Sequence, residues 1–270
     1  MKIELPYNFN FDGKYFSLLD SYKDKFQQID CVYMPSFIGE GAINTRIDLV
    51  RYPKTEEEYH EHIKEFQKRG IQITILMQRN CSMELIDKYY TKFGIKDFTI
   101  NDNPLAREIK EKYPDMTLRL SITAKATVDE INSKELDPYD TIVLFFWYNR
   151  HLDTIKKLPK KHKYTVLVNT TCMYNCPYCE KHWFGEIWVT AKCIGERFTF
   201  CHALNFKNTA YIRPCDTHYF ENYVSSFKLE GREVESVSIF REFDKYVNRK
   251  PIMRPFYDFN QNDILSNYNI

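Results

Sequence analysis

The sequence predicts an α/β protein built as a single (β/α)8 TIM-type barrel. Short β-branched and aromatic runs alternate with amphipathic runs of helical spacing, and eight strand-like runs can be placed in order along the chain. The 270 residues also match the roughly 250 of one barrel domain. A doubly wound open sheet shares this rhythm, and periodicity alone does not separate the two.

The opening strand is Ile3 to Tyr7, followed by a helix near Tyr15 to Lys25 and a second strand over Ile29 to Met34. In Glu56 to Arg69 the residues Tyr59, Ile63 and Phe66 recur three or four apart among charges, which predicts a helix. Gly70 supplies its C-terminal stop before the strand Ile71 to Met77. Met83 to Phe93 is the next helix, ended by Gly94, and Asp97 to Ile100 the fourth strand. Pro104 sits in the first turn of the helix Leu105 to Lys112. Then come the strand Thr117 to Ile122, a helix near Thr127 to Ser133, the apolar strand Thr141 to Trp147, a helix around Leu152 to Leu158 and the strand Tyr164 to Asn169. Ser225 to Leu229 is the eighth strand and Ser238 to Val247 the closing helix. Ala210 to Arg213 has strand character but belongs to a long loop. Residues 1–250 therefore make the barrel, about 170–216 a cysteine-rich insertion between strands 7 and 8, and 251–270 a C-terminal tail.

Composition narrows the function. With 38 basic and 37 acidic side chains the net charge is +1, so the total does not indicate a nucleic-acid protein. Aromatics at 16% exclude a disordered or collagen-like chain. Eight glycines leave no Gly-rich phosphate loop. No apolar run reaches the roughly 18–20 residues of a membrane span, and the polar start does not read as a signal peptide. The expected compartment is the reducing cytosol, where dense cysteines hold metal or do redox chemistry rather than form disulfides.

Six of the eight cysteines fall between Cys172 and Cys215. Cys172, Cys176 and Cys179 form a C-x3-C-x2-C run directly after the seventh strand, a spacing that lets neighbouring thiolates ligate corners of a 4Fe–4S cubane. Zinc wants two C-x2-C pairs, and only Cys176 with Cys179 is such a pair. Cys215 is favoured as fourth ligand, with Cys193 or Cys201 as alternates. Cys31 reads as a core thiol and Cys81 as ambiguous.

Chemistry in such a barrel sits at the C-terminal strand ends. Those ends carry Met34-Pro35, Gln78-Arg79-Asn80, Asn101-Asp102, Asn149-Arg150, Asn169 through Cys172 and Glu230-Gly231-Arg232. Glu230 and Arg232 are catalytic candidates: an Arg fork holds a carboxylate or phosphate, the alternative being an ion pair that closes the barrel. Asp102 is either a base or a helix N-cap. Arg79 and Arg213 are candidates for an anionic substrate, against ordinary surface arginines. His182 is a pocket candidate, and Trp183 is equally suited to packing. The run from Lys156 to Lys163 precedes a strand and so lies at the bottom, as a solvated face rather than an RNA contact. No Ser-His-Asp or His-Glu-x-x-His spelling gives a peptidase its nucleophile or zinc.

Two resemblances bear on these residues. The C-x3-C-x2-C run, with Tyr178 before its last Cys, resembles the cluster motif of radical S-adenosylmethionine enzymes. That resemblance implies three ligands, one open iron and S-adenosylmethionine as cofactor. Those enzymes carry the motif after the first strand, whereas here it follows the seventh. The second is wider. Val224-Ser-Ser-Phe-Lys-Leu-Glu-Gly-Arg232 resembles the last-strand signature Val-x-Ser-Leu-Lys-Ile-Glu-Gly-Arg of the collagenase-like peptidase family, whose catalytic type is unassigned. Phe98-Thr-Ile-Asn-Asp102, Ile109-Lys-Glu-Lys-Tyr-Pro114 and Leu118-Arg-Leu-Ser-Ile122 match it in order. So does a cysteine loop after the seventh strand. Some members are oxygen-independent hydroxylases of tRNA, rRNA or the ubiquinone ring that hold a 4Fe–4S cluster with four cysteines. Cys172, Cys179 and Cys215 fall at comparable places, although the spacing here is tighter. The resemblance thus implies an Fe–S oxidoreductase fed by an electron-donor protein, its substrate a small molecule or RNA. A metal-stabilised binding protein without catalysis is the further alternative.

Overall fold

The computed structural model describes residues 1–37, 53–77, 81–170, 210–232 and 234–251. Eight parallel strands close into one barrel in sequence order. They are β1 (Ile3–Pro6), β2 (Ile29–Pro35), β3 (Ile73–Leu76), β4 (Asp97–Ile100), β5 (Thr117–Leu120), β6 (Thr141–Leu144), β7 (Lys163–Leu167) and β8 (Ser226–Lys228). The seam pairs Ile3 with Phe227 and Glu4 with Lys228, which decides against the open doubly wound sheet.

Around the barrel run α1 (Tyr15–Ser21), α2 (Glu56–Lys68), α3 (Met83–Phe93), α4 (Asn103–Lys112), α5 (Val128–Asn132), α6 (Leu152–Lys157) and α7 (Ser236–Val247). Their boundaries have local causes. The Ser82 hydroxyl accepts from Leu85 N at the start of α3, and Gly94 ends that helix in the left-handed region at φ +66°, where a side chain would be strained. Thr127 and Glu130 cap α5 reciprocally. α7 begins two residues before the expected start because Asp12, far away in sequence, accepts from both Ser236 N (2.9 Å) and Ser236 Oγ (2.6 Å). The expected first helix ends early, at Ser21, and Lys23–Gln28 continue as a 3-10 turn. The run 210–213 is not a strand. It lies beside the end of β7, where Ile212 N donates to Val168 O at 2.9 Å.

The main apolar core lies between helices and barrel. α2 buries Tyr59, Ile63 and Phe66 at the predicted spacing, α3 buries Leu85, Ile86, Tyr89 and Phe93, and α7 buries Ile239, Phe240, Phe243 and Tyr246. A fully buried aromatic or aliphatic side chain of this kind contributes about 1.5–3 kcal/mol, so the helices are held by these faces rather than by their own propensity. Among the described residues no helix is long and apolar enough to cross a membrane.

Candidate functional site

The barrel lumen is charged. Barrels of this type are normally filled by layers of branched apolar side chains. Here Arg119 of β5 reaches Glu4 of β1 (2.9 Å), and a direct bond between strands on opposite sides of the barrel must cross the lumen. The same guanidinium grips the Asp97 carboxylate through Nε and Nη2 and also donates to Asp30 at 3.0 Å. Glu4 is fully buried, and its two oxygens accept from Arg119, Thr165 Oγ1 (2.8 Å), Ser226 Oγ (2.9 Å) and Lys228 Nζ (2.9 Å). Burial alone would raise its carboxyl, but Lys228 and Arg119 outweigh burial and hold it at about 2. Asp97 is the opposite case: its desolvation outweighs the help of Arg119, and its carboxyl is pushed up.

The ligand-type atoms of Glu4, Asp30 and Cys31 lie within 4.8 Å of one another. Arg119 already supplies the cation for both carboxylates, so this floor is a finished ion cluster and not a metal site. Above it the Tyr33 hydroxyl of β2 donates to the Leu229 carbonyl just past the end of β8. Lys228 Nζ sits 3.5 Å from the centre of the Tyr33 ring, and the Arg232 guanidinium lies 5.7 Å from it. Tyr33 thus touches Lys228 of the charged floor on one side and Arg232 of the mouth on the other.

At the mouth, the strand ends of β7 and β8 are locked together. The Asn169 side chain donates to Glu230 O (3.2 Å) and accepts from Glu230 N (2.6 Å). Gly231 follows with φ +129°, and a Cβ there would come 3.2 Å from Val234. That turn is what carries Arg232 back over Tyr33. Glu230 and Arg232 therefore stand at the C-terminal face of the barrel, beside Asn169 at the end of β7.

The far end of the cysteine insertion returns to the same place. A 3-10 turn over Pro214–Tyr219 presents Cys215, partly exposed, with its Sγ 3.7 Å from Asp216 Oδ1. Arg213 forks onto the Asp216 carboxylate at 2.5 and 3.0 Å, so its guanidinium is engaged within its own turn. Asp102 caps α4 by accepting from Leu105 N at 3.0 Å, as the N-cap expectation has it. Arg79, His182, Trp183 and the cysteines Cys172, Cys176, Cys179, Cys193 and Cys201 lie outside the described residues.

None of the described thiols is set up as a nucleophile. Burial raises Cys31 strongly, and burial together with the Asp102 charge pushes Cys81 up to about 12. Cys215 is raised by partial burial and by Asp216. Its neighbour His218 bonds the Cys215 carbonyl (2.7 Å), not the sulfur. A Cys–His pair of the hydrolase kind is absent among the described residues.

The sequence did not single out Glu4, Asp97, Arg119, Tyr33 or Lys228 as a group. The available signal was one charged residue in each of four otherwise apolar strand runs.

The chain is thus a closed barrel with a charged lumen, its cysteine-bearing segment joining β7 to β8. No protein-family model matches the chain. The uncharacterized protease MJ1657 of Methanocaldococcus jannaschii is similar at 23% identity over 247 residues, which cover 81% of this chain and 71% of that protein. The solved structure of the U32 peptidase Mk0906 has a TM-score of 0.51 with this chain at 15% identity, over 78% of this chain and 89% of that one, and shares its fold. The first likeness is one of sequence, to a protein described as a protease, and the second is one of fold.

Proposed function

We propose that the chain is an Fe–S barrel enzyme related to the collagenase-like peptidases, performing redox chemistry such as oxygen-independent hydroxylation of a small-molecule or RNA substrate. Cys172, Cys176, Cys179 and Cys215 would hold a 4Fe–4S cluster, with Cys193 or Cys201 as alternates. The observation that carries this reading is the position of Cys215. It returns to the catalytic face three residues after Ile212 pairs with Val168, close in sequence to the root of the Cys172 run. The absence of a nucleophile–base pair among the described thiols favours a ligand role over a peptidase role. A bound cluster would supply electron transfer. The chain's own part is to keep the thiolates at the mouth, to place the Arg232 charge over Tyr33 and to fix Glu230 through Asn169.

Anaerobic purification with iron and acid-labile sulfide analysis tests this. The expected result is a brown protein with about four irons per chain, losing its cluster when Cys215 is replaced by Ala. A colourless protein holding zinc overturns the redox reading. If Cys172, Cys176 and Cys179 alone are required and S-adenosylmethionine is cleaved on reduction, the chain is a radical enzyme instead. Hydrolysis of a peptide library by metal-free protein, abolished by no cysteine replacement, would restore the peptidase reading.

A further inference from the structure

The segment that brings Cys215 back to the barrel has no regular secondary structure, so its backbone carbonyls need partners other than a ladder. Three consecutive carbonyls are each taken by a different buried side chain. Asn149 Nδ2 donates to Ala210 O at 2.6 Å, Arg150 Nη2 to Tyr211 O at 2.9 Å, and Tyr246 Oη to Ile212 O at 2.7 Å. Asn149 and Tyr246 are fully buried and Arg150 is 6% exposed. Asn149 does a second thing. Its amide also donates to Leu167 O at 2.6 Å, the last residue of β7. One side chain therefore ties the outgoing and the returning ends of a 43-residue excursion (210 − 167), and Ile212 N to Val168 O closes the same junction through the backbone. The Asn149 Oδ1 atom is buried without a hydrogen-bond partner, so the residue's polar contacts in the fold are its two donated bonds.

We propose that Asn149, Arg150 and Tyr246 are positioning residues for Cys215: a three-point clamp that sets where the returning segment stands against the end of β7. Resting on the reading of Cys215 as a ligand, the clamp fixes where Cys215 stands relative to the end of β7. Arg150 and Asn149 come from the turn after β6 and Tyr246 from α7, so the segment is held from two sides. The clamp consists of donors only, which hold a backbone in place whatever its side chains.

Tyr246→Phe removes one bolt with little change of shape, and Asn149→Asp keeps the size of the side chain while removing both of its donors. Amide hydrogen exchange followed by mass spectrometry on the full-length, metal-free protein reads the result. Exchange in peptides covering 167–170 and 210–216 is expected to rise about five- to tenfold per lost bond, with peptides from β3 to β5 unchanged. Alkylation of Cys215 by a maleimide is expected to accelerate in step. In the iron-loaded protein the same variants are expected to alter the electron paramagnetic resonance line shape per iron, which a loss of global stability alone would not do. A uniform rise across all peptides, or no rise at 210–216, overturns the clamp. If Asn149→Asp fails to fold, Tyr246→Phe decides. If the wild-type protein binds no iron, the metal reading fails, while the exchange experiment still tests the clamp on its own terms.

Discussion

The floor and the mouth of this barrel are both polar, and they are polar in opposite ways. At the floor, Glu4, Asp30 and Asp97 meet Arg119 and Lys228, and every charge faces an opposite one at hydrogen-bond distance. At the mouth, beside the Arg213–Asp216 pair, most of these bonds go to backbone: Asn149, Arg150, Tyr246 and Asn169 spend their side chains on carbonyls and amides. Ser36 Oγ at the end of β2 and Asn149 Oδ1 are buried there with no partner. Each such orphaned atom costs about 1–3 kcal/mol. The floor is a completed structure, whereas the mouth holds chain segments in place and leaves polar atoms unmatched.

The sharpest test of that contrast is to remove the shared cation of the floor. Arg119→Met leaves three carboxylates facing one another and is expected to cost about 3–5 kcal/mol in urea unfolding. A loss below about 1 kcal/mol would mean the floor is no more coupled than a surface pair. Acid is the next probe. Glu4 is held at about 2 in the folded chain against an ordinary 4.5, so its contribution is complete above pH 4.5 and disappears as the pH falls toward 2. That amounts to about 3 kcal/mol for this group, and the decline with pH should flatten in Glu4→Gln, measured by unfolding at each pH. On the boundary between the two regions, Tyr33→Phe removes the bond to the Leu229 carbonyl and keeps the ring. About 1 kcal/mol of stability is expected to go with it, with the iron content unchanged. The smallest effect belongs to Asp102. Asp102→Ala should cost about 1 kcal/mol through the lost cap, and Asp102→Asn nearly nothing. An activity lost in the Asn variant while stability is kept would return Asp102 to the catalytic residues.

The helices were legible because their signals are local. The stop at Gly94 and the spacing of Tyr59, Ile63 and Phe66 each operate within a few residues, and each is where the sequence places it. The start of α7 was missed by two residues because its cap, Asp12, comes from the other end of the chain. The floor was missed for the same reason on a larger scale. Glu4, Asp97, Arg119 and Lys228 each look like a single polar interruption in an apolar run, and only closure of the barrel makes them neighbours. Asn149 and Arg150 read as polar strand-end residues, and nothing in the sequence says that they catch Ala210 and Tyr211. Of the candidate site, the sequence indicates the residue types and the face but not the bonds between them.

The seam of the barrel has a consequence for how the chain acquires its shape. Glu4 and Lys228 stand 224 residues apart, yet they share one register pair where the first strand meets the last. A sheet of seven strands would enclose Glu4 with Arg119 but without Lys228, a carboxylate half neutralised inside a nearly closed wall. Such an intermediate is penalised by the unpaired charge as well as by its open edge. The ionic stitch at the seam therefore makes partial barrels poor stopping points, and it biases the chain toward forming all eight strands or none.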